Sequence, residues 1–490
     1  MENNNIVKVI YAEGKSFLKA ASNINENVYF VLFTLYVLIN FIINIEWGDQ
    51  IQGIVSNIRY GLLSIVMWGA TVYLFYVICE WISIWKHLPI MMGLAVLMLL
   101  ATGWFSHVMT TNSYGVVMDL FFCIMAYGKN YRKLLKCLLT VSIVMLIIAA
   151  IGVPTGITED LIKPDNIHPG HSLGIIYPNT WGNLVYLNMI LLWYLYLRHK
   201  PIITICIFWV AGAFMFLYIY SRTMSFFSVM FPVGAVIVDY FQRRSDRKEK
   251  ISALSKENVE INPYNRKLNN RIGLFGWIVV AIPLLSFVFV IFASRQMDWV
   301  HQTFYYTWFH NFAMRFVQGG LYLQTYGMPL FGNPYRSNIT TFRYVNGEYL
   351  QLGNLDSSFI SYLIMRGLIW IICVLVWLCI AHWKALKNRD YAIPYIGGAI
   401  LFVAMMERIG LEMWYNFILL YPLAKVDGST YIIEELNQMK TDYTADTSVS
   451  LVNPKPEGNI EMTDGQENMS VVISAVTKKA GDDITCSAER

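Results

Sequence analysis

Apolar runs of bilayer-spanning length recur along this chain, and no other feature narrows its possible folds as much. They lie near 28–45, 58–79, 88–105, 114–127, 134–152, 179–197, 202–220, 223–241, 272–293, 358–381, 392–406 and 411–424. A bilayer core takes about 20 apolar residues per helix, and every backbone polar group inside it must find a partner within the protein. The pattern therefore predicts an all-α, polytopic membrane protein of about 12 transmembrane helices, the fourth and the last two being short. Strand-length alternation is absent, which argues against an outer-membrane barrel. Composition points the same way, since 56% of the 490 residues are hydrophobic and only 14% are charged.

Basic residues orient the spans. The stretch 242–271 holds Arg243, Arg244, Arg247, Lys248, Lys250, Lys256, Arg266, Lys267 and Arg271, and is predicted to be a cytoplasmic loop. Alternation then puts the basic connectors KNYRK (129–133), RHK (198–200) and HWKALKNR (382–389) on the same side. Both termini follow inside, and 153–178 and 294–357 become extracytoplasmic loops. Residues 1–27 read as a cytoplasmic segment without the short apolar core and cleavage site of a signal peptide, so the first span serves as an uncleaved signal. The membrane domain covers 28–424. The tail 425–490 is polar and reads as cytoplasmic and largely disordered. It carries twelve Asp/Glu against six Lys/Arg, so the formal charge of +4 hides a basic membrane domain and says little about partners. No nucleic-acid partner is expected. Six of the seven cysteines lie in or beside apolar runs and none forms a CxxC pair, so neither a disulfide framework nor a thiolate metal site is expected.

Polar wealth is concentrated in the outer loops. The strip HPGHSLGIIYPNTWG (168–182) is rigid, turn-rich and just ahead of the sixth span. The loop 294–357 has Arg295, Arg315, Arg336 and Arg343, no lysine, and fifteen aromatic residues. Keeping Arg while dropping Lys suits bidentate binding of carboxylate or phosphate oxygens; the plainer alternative is pairing with Asp298, Glu348 and Asp356. The aromatics suit stacking on sugar rings or, equally, an interfacial belt. Within this loop, 301–320 is predicted as a helix ending at a glycine pair, with Asn311 and Arg315 four residues apart on one stripe, His301 and Trp308 near it, and His310 pointing elsewhere. Each histidine also reads as an interfacial hydrogen-bonding group. In YSRTMSF, Arg222 sits at the outer end of a span with little loop around it, where a cation needs a partner. MERIGLEMW puts Glu407, Arg408 and Glu412 at an outer turn, as a local charge balance or as part of a site. Asp119 is an intramembrane acid with no partner visible in sequence.

In this order, the features resemble those of Wzy-type polysaccharide polymerases, which are related to O-antigen ligases, over roughly residues 28–425. The family's strip SLGFxHPNxxG is matched at Ser172, Leu173, Gly174, Pro178, Asn179 and Gly182, with Tyr177 where the family usually has histidine. Its SRT-like motif is matched at Ser221, Arg222 and Thr223. Its arginine before a PLFGxG turn is matched by Arg315 followed by MPLFGNP, with Pro334 in place of the last glycine. DSSFISYLIMRG resembles its DNxYxxxLxxxG at Asp356 and Gly367, with Ser357 and Phe359 replacing Asn and Tyr. Glu407 and Asn416 loosely resemble a Glu…Asn pair.

The resemblance implies a GT-C-like fold in the bacterial cytoplasmic membrane and glycosyl transfer at its outer face. Undecaprenyl-pyrophosphate-linked oligosaccharides would be both donor and acceptor, as in capsule, exopolysaccharide or O-antigen assembly, with a flippase and a chain-length regulator as partners. It implies that Arg222 and Arg315 stabilise the departing pyrophosphate without a metal or cofactor, that His171 acts as base while Tyr177 orients the sugar, with His310 as the other candidate base, and that Asn179, His310, Asn311, Asp356 and Glu407 contact substrate. No GxxxxGK[ST] and no GxGxxG after a strand is present. An O-antigen ligase remains the alternative enzyme, and a flippase of the same lipid-linked units the alternative transporter, although a transporter would concentrate its polar residues within the spans.

Overall fold

The computed structural model describes residues 14–22, 25–84, 113–162, 170–198, 200–254, 273–304, 310–332, 342–345, 348–351 and 355–426. The predicted span 88–105 and nearly all of the tail lie outside these residues. In chain order the helices are α1 (Glu26–Ile43), α2 (Asp49–Ile84), α3 (Ser113–Met125), α4 (Tyr131–Thr155), α5 (Pro178–Leu192), α6 (Pro201–Phe214), α7 (Arg222–Leu254), α8 (Leu274–Arg295), α9 (Met297–Phe304), α10 (His310–Tyr326), α11 (Ser358–Arg366), α12 (Leu368–Lys387) and α13 (Ala392–Met406). Among the described residues, seven helices are long and apolar enough to cross a membrane. The chain is a polytopic membrane protein.

Polar residues at the ends of the apolar runs set where helices begin. Asn25 and Asn130 cap α1 and α4 by accepting from the backbone N–H groups of Asn27 and Lys133 at 2.9 and 3.1 Å. Proline opens α5 and α6, where its missing N–H costs nothing. Both helices then widen into single π turns, Trp193–Leu197 and Met215–Ile219, which extend them towards spanning length.

Contacts sort the connectors into two ends of the bundle. At one end, the backbone N–H groups of Glu46 and Gly48 donate to Gly174 and Ile157 at 2.9 and 3.0 Å, joining the α1–α2 turn to 153–178. At the other, Lys425 and Tyr131 pair through their backbones, Arg198 meets Asp390, and the Tyr391 N–H donates to Gln242 Oε1 at 3.2 Å. All four basic connectors named above therefore share one end.

Several elements depart from the sequence reading. The predicted span 358–381 is broken at Gly367, whose φ of 91° lies in the left-handed region. The MPLFGNP turn seats on that break: the Pro329 carbonyl accepts from Leu368 N at 2.8 Å and that of Leu330 from Ile369 N at 3.2 Å, which satisfies the start of α12. Gly332 and Gly367 allow the contact, since a Cβ on either would meet a backbone carbonyl oxygen at 2.4 Å. The helix predicted over 301–320 is divided between α9 and α10, and α10 runs through its glycine pair to Tyr326. There Gly320 brings α10 onto the Ser294 carbonyl of α8 and does not end the helix. An antiparallel hairpin, β1 (Phe342–Val345) and β2 (Glu348–Gln351), pairs Val345 with Glu348 in the loop predicted to be only partly helical.

The last run, 411–424, is not an α-helix. It is a chain of turns with one 3-10 segment, Phe417–Leu420, buried almost throughout. Non-helical backbone at membrane depth needs protein partners, and it has them. Lys384 Nζ donates to the carbonyls of Tyr421, Pro422 and Ala424 at 3.1, 3.0 and 2.8 Å, and Trp377 Nε1 to that of Leu419 at 2.7 Å. Asn416 Nδ2 donates to Gly410 at 3.2 Å.

Candidate functional site

The site begins where two helices start side by side. Tyr177 is extended, Pro178 opens α5, and Asn179 and Thr180 occupy its first turn. Gly182 lies so close to Ser221 that an added Cβ would sit 2.5 Å from the Ser221 Oγ, which brings the first turn of α5 against that of α7. Tyr220 is left-handed at φ 60°, and Arg222 is the first residue of α7. A cation at the positive end of a helix dipole is unfavourable by itself. An anion there would be drawn by both the guanidinium and the N–H groups of the helix's first turn. Arg222 donates to Tyr220 Oη and lies over its ring, 4.5 Å from the centroid.

These helix starts open into a cavity of about 1110 Å³, larger than pockets for drug-sized ligands, which reach about 1,000 Å³. Tyr177, Asn179, Arg222, Arg315, Asp356 and Glu407 all line it, although they come from five separate parts of the chain. Arg315 pairs through Nη1 with Asp356 Oδ2, joining α10 to the residues that lead into α11. Asp356 thereby holds the guanidinium in place on the wall, and both side chains retain exposure, 22% and 29%. Ser358 Oγ donates to the Glu407 carbonyl, tying α11 to the end of α13.

Exposure grades the wall from rim to floor. Tyr177, Arg222 and Arg408 are exposed, Asn179, Arg315, Asp356 and Glu407 half-buried, and Tyr36 and Tyr362 buried. Asp119, on α3, Glu412 and Arg366 are also half-buried on this wall, beside the buried tyrosines, and the Arg366 guanidinium stands 4.1 Å from the Tyr362 ring centroid. Tyr36 Oη donates to Asp119 Oδ1 at 2.7 Å, supplying the partner that the sequence did not reveal. Trp414 Nε1 donates to Glu412 Oε2 at 2.6 Å. Asn183 also lines the cavity, and its buried Oδ1 has no hydrogen-bond partner among the described residues.

His171 is placed differently from the other candidates. It neighbours the cavity-lining Gly170 but is not itself on the wall. Its Nδ1 is 2.6 Å from Asp160 Oδ2, and its ring stacks on Tyr218 with centroids 4.6 Å apart. Asp160 also accepts from the backbone N–H groups of Ser172 and Leu173 at 2.8 and 2.9 Å. Burial pushes the Asp160 carboxyl up, but the His171 bond and these two N–H groups outweigh it and hold it below the usual carboxylate range. The pair clamps the outer strip onto the end of α4. His310 and Asn311 lie in the first turn of α10, and their side chains fall outside the description.

Sequence reasoning passed over Tyr36, Asn40, Asn44, Asn183 and Arg366, all on the wall. A signal existed for four of them. Tyr36, Asn40 and Asn44 recur every four residues along α1, as do Asn179 and Asn183 along α5, so each set lies on one helix face. Arg366 gives no such signal, because only the break at Gly367 aims the end of α11 at the cavity.

Fold and site together define a polytopic membrane protein with a large, charged, aromatic-lined cavity at the end of the bundle opposite its basic connectors. No protein-family model, curated protein or solved structure matches the chain.

Proposed function

We propose that the protein is a glycosyltransferase that polymerises lipid-pyrophosphate-linked oligosaccharide repeat units at the outer face of a bacterial cytoplasmic membrane. The observation that carries the reading is one cavity joining Arg222 at a helix N-terminus, Arg315 fixed by Asp356, and a wall of tyrosine and asparagine. In this reading, the anionic leaving group meets the arginines and the helix N–H groups. Such fixed donors act on developing charge without reorganising. Sugar rings meet Tyr177 and the tyrosines within, and their hydroxyls meet Asn179 and Asn183. The acceptor hydroxyl attacks the anomeric carbon of the growing chain, and lipid pyrophosphate leaves with the bonding electrons. The energy comes from the sugar–pyrophosphate bond, so no nucleotide site is required. His171, clamped by Asp160, positions the strip that carries Tyr177.

About twelve crossings of a GT-C-like bundle fit this reading, with 411–424 as a buried, non-helical return. The basic end then faces the cytoplasm. With an impermeant thiol reagent on intact cells, Asn346→Cys is expected to be labelled, and labelling of Lys250→Cys would reverse the orientation.

The deciding experiment mixes purified protein with synthetic lipid-linked repeat units. A ladder of chain lengths is expected. Transfer only to a lipid A acceptor would make the protein a ligase instead, and trans-bilayer movement without transfer a flippase.

A further inference from the structure

Resting on that reading of the cavity, we infer that Asp119 takes the proton from the attacking hydroxyl. An acceptor hydroxyl needs a positioned proton acceptor on the cavity wall, and His171 is not on it. Among the described residues four carboxylates are: Asp119, Asp356, Glu407 and Glu412. Asp356 is committed to Arg315. Glu407 is half-buried, as Asp119 is, but stands next to the cation Arg408 in the chain. Glu412 is held by the Trp414 indole in its own turn. Asp119 accepts from the Tyr36 phenol and from the Met413 backbone N–H, with the Arg366 guanidinium as a neighbouring cation rather than a direct ion-pair partner such as Asp356 has in Arg315. Its side chain retains surface on the cavity, so a hydroxyl can reach it.

The placement also suits displacement at a sugar carbon. Direct attack brings nucleophile and leaving group to opposite sides of the anomeric carbon. Arg222 is exposed at the start of α7 and Arg315 is on α10, whereas Asp119 is on α3, against the buried Tyr36 of α1. The hydroxyl oxygen bonds to the anomeric carbon as that carbon's bond to the pyrophosphate oxygen breaks. The electron pair leaves with lipid pyrophosphate, the hydroxyl proton passes to the Asp119 carboxylate, and solvent in the emptied cavity later removes it. The titratable and charged groups facing Asp119 are Tyr36 on α1, Cys123 on its own helix, Tyr362 and Arg366 on α11, and Glu412 in the buried return.

The test uses full-length protein in liposomes with synthetic lipid-linked repeat units. Asp119→Asn, which keeps the shape and the Tyr36 contact, is expected to slow elongation by about 10² to 10⁴-fold, with KM within a few-fold of wild type. Elongation at the wild-type rate would overturn the role. Tyr36→Phe covers the case in which Asp119→Asn does not fold. Losing the bond that aims the carboxylate is expected to lower kcat at least several-fold with KM unchanged, and an unchanged kcat would remove Asp119 from the reaction. A wild-type protein that forms no ladder overturns the polymerase reading itself, and this inference with it.

Discussion

At the basic end, Arg198 is 8% exposed and reaches Asp390 at 3.3 Å and Asp239 at 3.7 Å. Tyr194 Oη and Trp193 Nε1 complete those carboxylates at 2.8 and 3.3 Å. Lys384, nearby in the fold, spends its three protons on three carbonyls. At the cavity end, Arg222 and Arg408 are exposed, Arg315 and Asp356 remain partly so, and all of them border about 1110 Å³ of open space. The two ends use the same residue types. The first buries its charges in holding α5, α7, α12 and the buried return together, and the second keeps them partly exposed around open space. A buried ion pair is costly to break, because its survivor is left uncompensated. An exposed one contributes about 0 to 1 kcal/mol.

The comparison is broken most sharply at Arg198. Arg198→Ala is expected to destabilise the detergent-solubilised protein by about 3–5 kcal/mol, read as a large fall in thermal midpoint, while Arg222→Ala changes it by less than about 1 kcal/mol. Equal shifts from the two would erase the distinction between the ends.

Next in size is Arg315→Lys, expected to lower elongation by about 10² to 10³-fold without loss of protein from the membrane. An ammonium cannot pair with Asp356 and present a second N–H to pyrophosphate in the same plane. Arg336→Lys, outside the described residues and without a family match, is expected to leave chain lengths unchanged. Wild-type ladders from Arg315→Lys would reduce the Arg315–Asp356 contact to a structural pair.

Gly367→Ala comes third. Its left-handed φ and its 2.4 Å approach to the Leu330 carbonyl cost about 1–3 kcal/mol for any side chain. Loss of the turn that seats on α12 would be read as faster proteolysis within 327–332. Unchanged proteolysis would show that the break does not depend on glycine.

The smallest effect concerns the Asp160 clamp. Its carboxyl is held below the ordinary value in the folded protein, so its contribution is present above the unfolded value of about 3.9. It is lost as pH falls through the lower, folded value. Wild type and Asp160→Asn are therefore expected to differ in hydrogen exchange over 170–176 at neutral pH and to converge in strong acid. A difference that grows on acidification would have the wrong sign for this clamp.

Much of the fold was legible in the chain because a bilayer leaves few options. Glu26–Ile43, Tyr131–Thr155, Arg222–Arg244 and Leu274–Arg295 each enclose or nearly coincide with a predicted run. The same apolar criterion misread 411–424, since a buried return in turns is as apolar as a helix, and only Lys384, Trp377 and Asn416 reveal how its carbonyls are satisfied. It also missed the break at Gly367, where the deciding contact comes from Pro329 and Leu330, some forty residues away. At the site, Arg222 and Arg315 stood out as cations in unusual places, and Asp356 was already named as a plain partner for a loop arginine, the pairing found with Arg315. Asp119 stood out too, but its partner Tyr36 is 83 residues distant and looked like one more aromatic in a span.

Sequence alone determined that this chain is a polytopic membrane protein and where its long apolar helices run among the described residues, because hydropathy is local and additive along the chain. Only the tertiary structure decided which charges are buried in ion pairs and which border the cavity. Arg198 and Arg222 both sit at helix ends beside polar neighbours in sequence. What separates them is whether distant helices bring a carboxylate or a cavity to the guanidinium, and no local pattern encodes that.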